Sequence, residues 1–221
     1  MSGAPEPVAW ARKALAGARE PEGLAKAVMR FHRRLDEVLD ASFKGHGVEV
    51  ACRRGCSSCC SLQVDILPAE AFALAAWLRR RFEPSRLQAT LARLRDNAAR
   101  TRAMGLEARK RSNMPCALLG GDGACTAYEA RPSQCRQFHS TRLETCLASH
   151  ANPADDAIEA PLDPAVAHNA AVIITAARHA LREGAMDAEP ADMNLALLEA
   201  LENPKAWRRW RDGKKAFVQE S

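Results

Sequence analysis

Residues 52–60 read Cys52-Arg-Arg-Gly-Cys56-Ser-Ser-Cys59-Cys60, four thiols in nine positions, and the chain returns four more at Cys116, Cys125, Cys135 and Cys146. An even count in a small secreted chain would be read as a disulfide framework. This chain has 221 residues, enough to bury an apolar core without covalent staples. Its opening, MSGAPEPVAWARKALAGARE, carries no apolar stretch of the signal-peptide kind. The expected compartment is therefore the reducing cytoplasm, where clustered cysteines ligate metal or do redox chemistry.

Cys56-Ser57-Ser58-Cys59 is a knuckle spacing in which two thiolates converge on one ion while the intervening amides point towards the sulfurs, and Gly55 permits the tight backbone. A tetrahedral zinc ion or an iron–sulfur cubane needs about four ligands, so a second group has to close the site. The set at 116–146 supplies it. The candidate ligands are thus Cys52, Cys56, Cys59, Cys60, Cys116, Cys125, Cys135 and Cys146, and the cofactor is zinc or iron, including a 4Fe–4S cluster. Neighbouring side chains such as Cys59 and Cys60 do not readily point the same way in extended backbone. Two four-thiolate sites, one binuclear site, or a site with six or seven ligands all fit the count.

Two redox readings compete. Cys52-x3-Cys56-x2-Cys59 has the spacing of radical S-adenosylmethionine enzymes, but Ser58 stands where those enzymes usually carry an aromatic, and the repeated strand–helix pattern of their barrel is missing. A thioredoxin-type Cys-x-x-Cys would need a βαβ context and a helix starting at its first cysteine; the flanking sequence offers neither.

Outside the cysteines the apolar positions recur at three and four, which predicts a mainly α protein: a helical domain with two irregular cysteine-rich segments organised around a metal site. One domain over 1–221 is expected, with a metal-binding core at about 50–150 and flanking helices within 5–45 and 163–212. Leu24, Val28, Phe31, Leu35, Val38 and Leu39 give one helix face between Pro21 and Gly45. A helix at 69–82 follows, and Pro84 then separates it from a long basic helix with Leu87, Leu91, Leu94 and Ala98 as its seam. Asp163-Pro164 predicts a cap and first turn for a helix ending at Gly184, lined by Val166, Ala170, Ile173, Ala177 and Leu181. A shorter helix is expected at 191–202. Val48–Ala51 and Gln63–Leu67 are candidate strands that either pair as a ribbon or stay extended. The stretch 112–150 shows no sustained period, 151–163 reads as a linker, and Gly120-Gly121-Asp122-Gly123 reads as a turn.

Net charge is +5, and between Arg79 and Arg111 eleven basic residues face only Glu83, Asp96 and Glu107. Such a stretch is a solvated helix face or an anion-binding surface. At the C-terminal end Trp207, Arg208, Arg209, Trp210, Arg211, Lys214 and Lys215 read as a terminal helix docked through its tryptophans, or as a stacking surface for single-stranded nucleic acid. No apolar run approaches the ~18 residues of a membrane span. A thiolate-bound metal centre is anionic and calls for nearby cations or amides. Arg53, Arg54, Arg131, Arg136 and Arg142 lie beside cysteines; Arg131 and Arg136 flank Cys135 and are candidates to contact its sulfur. Of six histidines, His139 follows Cys135 by four and is a candidate ligand, hydrogen-bond partner or acid–base group. His32, His46, His150, His168 and His179 read as packing or surface.

The stretch Cys125-Thr-Ala-Tyr128-Glu-Ala-Arg131-Pro132-Ser-Gln-Cys135-Arg136-Gln-Phe138-His139, taken with Cys56-x2-Cys59-Cys60, Cys116-Ala-Leu118-Leu119-Gly120 and Cys146, resembles the YkgJ-like cysteine-cluster family over about 50–150. The resemblance implies a zinc- or iron-chelating domain, with Tyr128, Arg131, Arg136 and His139 around the ligands. Cys52 departs from it, separated from the next cysteine by three residues rather than two. A related branch, the flagellin lysine N-methylases, joins such a cluster to methyl transfer, implying a protein substrate. No glycine-rich loop of the nucleotide-binding kind follows a strand here. Three readings stay open: a metal-binding protein, a cluster-dependent protein-modifying enzyme, and a nucleic-acid-binding module using its basic helices.

Overall fold

A computed structural model describes residues 6–16, 18–53, 55–158 and 162–218; Arg54 and parts of the expected flanks and linker lie outside the described residues. The chain is mainly helical, as its periodicity predicts. Helix α1 (Glu6–Ala14) is separated by a turn from α2 (Pro21–Gly45), which opens on proline and buries Leu24, Val28, Phe31, Leu35 and Leu39. A 3-10 turn at Ser58–Ser61 carries the Cys59-Cys60 pair, and the two-residue strand β1 (Asp65–Ile66) leads into α3 (Pro68–Arg81) and α4 (Pro84–Lys110). Beyond a second 3-10 turn (Tyr128–Ala130) come α5 (Ser133–Gln137) and α6 (Leu143–Ala151), lengths of five and nine residues at which a 3.6-residue period is hard to see in sequence. Helix α7 (Pro164–Glu183), strand β2 (Ala191–Asp192), α8 (Met193–Glu202) and α9 (Pro204–Arg211) complete the order. Asp163 caps α7 by accepting from Val166 N at 2.9 Å.

Strand pairing differs from the ribbon considered for 48–51 and 63–67. Asp65 and Ile66 pair antiparallel with Asp192 and Ala191, while 48–51 stays extended, Ala51 N donating to Ser140 O at 2.8 Å. The partner is a distant dipeptide just before α8, too short to announce itself by alternation.

Buried side chains from α1 to α9 form one continuous apolar cluster. Helix α1 lies on α7, and α2 packs against both α7 and α3. Helix α8 wedges between α3 and α4, which pack on it far more than on each other. This wedge sets the separation of the two helices that join the cysteine segments. Trp210 is fully buried, donates Nε1–H to Asp187 O at 2.8 Å, and lies against Phe72 and Trp207 with ring centroids 5.5 Å away. The tryptophans thus dock α9 on the core. Among the described residues no helix is long and apolar enough to cross a membrane.

The long basic helix is not continuous. Gly105 has φ 78° and ψ 161°, so α4 breaks there and its last turn points elsewhere. That turn carries Arg109 into the interior, 2 % exposed. A Cβ at Gly105 would meet no atom within 4 Å, so the penalty of any side chain is conformational. Gly105→Ala is expected to lower stability by about 1–2 kcal/mol in urea denaturation, through strain in the left-handed half of φ space rather than through a clash.

Candidate metal centre

The two cysteine segments are joined by backbone. Cys116 N donates to Cys60 O at 2.8 Å and Met114 N to Ser61 O at 3.1 Å, so the second segment runs alongside the 3-10 turn of the first. The chain then doubles back: Leu119 pairs with Cys125, Gly120 N donates to Ala124 O and Thr126 N to Leu118 O, both at 2.8 Å. The glycine-rich turn expected at 120–123 is this loop. A Cβ on Gly123 would stand 3.0 Å from Gly55 O, so the loops before Cys56 and Cys125 meet backbone to backbone. Helix α6 brings Cys146 up to the Ser58–Ser61 turn.

Beneath these loops lies a buried carboxylate that sequence reading missed. Glu70, 2 % exposed, accepts from His32 Nε2 at 2.8 Å, from Ser133 N at 2.7 Å, from Ser133 Oγ at 3.2 Å and from Leu67 N at 3.2 Å. It therefore ties α2, α3 and the start of α5, two residues before Cys135. Burial pushes its pKa up, but the His32 imidazole and the Ser133 and Leu67 amides outweigh burial and hold it below the usual carboxylate range. A glutamate three residues after Leu67 at a helix start is the available sequence signal; its inward aim depends on His32, 38 positions away. Arg109 was also missed: its guanidinium donates to Ser61 O at 3.2 Å, Leu62 O at 3.0 Å and Ser112 O at 3.1 Å, holding the first segment from below.

Cys52 is exposed and the other seven cysteines are half-buried. Electrostatic interactions between the thiols link them in two overlapping sets. Cys135 is within reach of Cys116, Cys59 and Cys125, and Cys116 of Cys125. Cys52 is instead within reach of Cys56, Cys59 and Cys146. Cys59 borders both groups, with Cys60 hydrogen-bonded to it. Burial pushes the Cys116 thiol up to about 11 and raises Cys125, Cys135 and Cys52; a hydrogen bond with Cys60 and then burial raise Cys59. Amides oppose the rise, Leu118 N donating to Cys116 Sγ at 3.4 Å and the Ala127 amide to Cys125. Among the described residues no three Cys, His, Asp or Glu side chains already stand as an ion would hold them. Coordination would exchange thiol hydrogen bonds, such as that of Cys59 with Cys60, for metal–sulfur bonds.

The surrounding residues occupy distinct places. Arg131 lays its guanidinium over the Tyr128 ring, 3.8 Å from the centroid, and lies within reach of Cys59 and Cys125; its Nε is sealed from solvent and has no acceptor. Tyr128 is 63 % exposed and carries Arg131 on its ring face. Arg136 donates to Asp36 Oδ2 on α2 at 2.5 Å and to Arg131 O at 2.8 Å, bracing the turn before α5. His139 is buried, with Nδ1 on Gln137 O at 3.0 Å and Nε2 accepting from Asp163 N at 2.9 Å. Both ring nitrogens are occupied, with the proton on Nδ1, so His139 fastens the cysteine segment to the start of α7. Arg53, Arg142, His46, His150, His168 and His179 are exposed.

Because the native pKa of Glu70 lies below its ordinary value of 4.5, its stabilisation is fully present above that value and is lost as pH falls through the lower native one. Glu70→Gln should cost roughly 1.5–3 kcal/mol at neutral pH, with the gap to the parent protein closing in acid. Urea denaturation of both proteins across pH checks this. Arg109→Met leaves the Ser61 and Leu62 carbonyls without that donor and should cost about 1–3 kcal/mol in the same assay.

Neither a curated protein nor a solved structure matches the chain. Residues 51–156, which build this candidate centre, match the family model described as "CxxCxxCC: Putative zinc- or iron-chelating domain", the cysteine-cluster family that this segment resembles.

Proposed function

We propose that the protein binds zinc or an iron–sulfur cluster through the inner thiol group, Cys59, Cys116, Cys125 and Cys135, and that Cys52, Cys56, Cys60 and Cys146 form an outer layer rather than the primary ligand set. The observation that carries this is the Arg131 Nε, a buried donor with no acceptor among the described residues, beside Cys59 and Cys125. An unpaired buried donor of this kind costs about 1–3 kcal/mol. Thiolates would supply the missing acceptor.

The protonation chemistry agrees. Desolvation keeps these sulfurs protonated when uncoordinated, whereas a metal requires them as thiolates and releases their protons. Four thiolates on zinc carry a net charge of −2, and Arg131 with the Leu118 and Ala127 amides is placed to offset it. Zinc would supply a structural or Lewis-acid centre, and an iron–sulfur cluster an electron-transfer centre.

The test is iron, zinc and acid-labile sulfide per chain on anaerobically purified protein, in the parent and in single Cys→Ser variants. Stoichiometric metal is expected in the parent, lost in Cys59→Ser, Cys116→Ser, Cys125→Ser and Cys135→Ser and retained in Cys52→Ser and Cys146→Ser. Sulfide with iron identifies a cluster, and zinc without sulfide a mononuclear site. Retention in all four inner variants would refute the assignment. Arg131→Met should keep the ligands yet release metal to a chelator about tenfold faster, in line with other outer-shell partners.

A further inference from the structure

On the outer side of Cys125 lies a groove of about 310 Å³ between the end of α3, the start of α4 and the Tyr128 turn. Its walls are aromatic and cationic: Trp77, Phe82 and Tyr128 with Arg81 and Arg86, and Glu129 as the one carboxylate. Trp77 and Phe82 meet edge to face with centroids 6.0 Å apart. Arg86 stands over the Phe82 ring at 4.1 Å, and Arg131 over Tyr128 at 3.8 Å. The guanidinium groups of Arg81 and Arg86 make no hydrogen bond or ion pair with a described residue, unlike those of Arg79, Arg93 and Arg95 of the same basic stretch, which are spent on Leu201 O, Leu119 O and Glu202.

The geometry points to this groove as a binding site for a mononucleotide, its base stacking among Trp77, Tyr128 and the guanidinium planes, and its phosphate on Arg81 and Arg86. Charge selects the class. Two aromatic faces already hold guanidinium groups, so an added cation would be repelled, whereas a planar ring system stacks on aromatics and guanidinium planes alike. Arginine matches phosphate geometry with paired donors. Glu129 accepts from a sugar hydroxyl or an exocyclic amine. The volume lies at the lower end of small-molecule sites, which suits one nucleotide. Because Cys125 lines the same groove, a bound nucleotide would lie against the wall of the metal centre.

Isothermal titration of the whole 221-residue chain, its metal content quantified, with AMP, adenosine and inorganic phosphate tests this, alongside Arg81→Ala and Arg86→Ala. Both arginines are exposed, and circular dichroism checks that the variants keep the fold. AMP is expected to bind with Kd about 0.1–1 mM, more tightly than either fragment, and each variant to weaken it about tenfold. Absence of AMP binding at millimolar concentration overturns the proposal. Phosphate binding as tightly as AMP removes the stacking half of it, adenosine binding as tightly removes the arginine half, and unchanged affinity in both variants places the nucleotide elsewhere; each of these also overturns it.

Discussion

A carboxylate stripped of solvent survives inside a protein only when it is surrounded by donors, and Glu70 is surrounded from three directions. His32 approaches from α2, the Leu67 amide from its own helix, and Ser133 from the segment leading to Cys135. None of these elements can shift without stranding the charge, and α5, at five residues, is too short to hold a position by its own helical stability. The placement of Cys135 against Cys59, Cys116 and Cys125 therefore depends on an interaction that contains no cysteine. Arg109 plays the matching part under the first segment, its two terminal nitrogens occupied by carbonyls rather than by a carboxylate.

The charge balance of the thiol cluster has two arrangements. With protons on the sulfurs the cluster is neutral, and Arg131 is the odd group, screened on one side by the Tyr128 ring and short of an acceptor on the other. With thiolates bound to metal as proposed, the sulfurs would become the odd group, and Arg131 and the amides near Cys116 and Cys125 would answer them. The same side chain is thus poorly served in one arrangement and would be well served in the other. Its stacking on an exposed aromatic holds it in place for both.

Much of the helical framework was legible because its signals are local. The stripe from Leu24 to Leu39, the prolines opening α2, α3, α4 and α7, and the Asp163 cap each lie within a few residues of what they determine. The density and spacing of the cysteines likewise marked out the centre, and the family match covers that segment. What could not be read was long-range. The partner of Asp65–Ile66 lies more than a hundred residues away, and Glu70 looks like a surface residue until His32 and Ser133 are brought to it. Gly105 reads as a tolerated glycine inside a helix, because its positive φ follows from where Arg109 must go. His139 was singled out for its place beside Cys135, yet its ring nitrogens are used by Gln137 and Asp163, whose approach depends on how the chain returns to α7.

The wedge of α8 between α3 and α4 bears on the order of events at the ribosome. All eight cysteines lie between residues 52 and 146, whereas the helix that spaces α3 and α4, the two helices joining the cysteine segments, begins at Met193. Chains are made from the N-terminus at about 5–20 residues per second, so every thiol leaves the exit tunnel seconds before the element that brings α3 and α4 to their final separation. Through that interval the nascent chain holds two loose, reactive groups of sulfur. A metal ion that arrived in that interval would meet both groups before α8 had fixed their spacing, so loading of the proposed site would belong to the completed polypeptide.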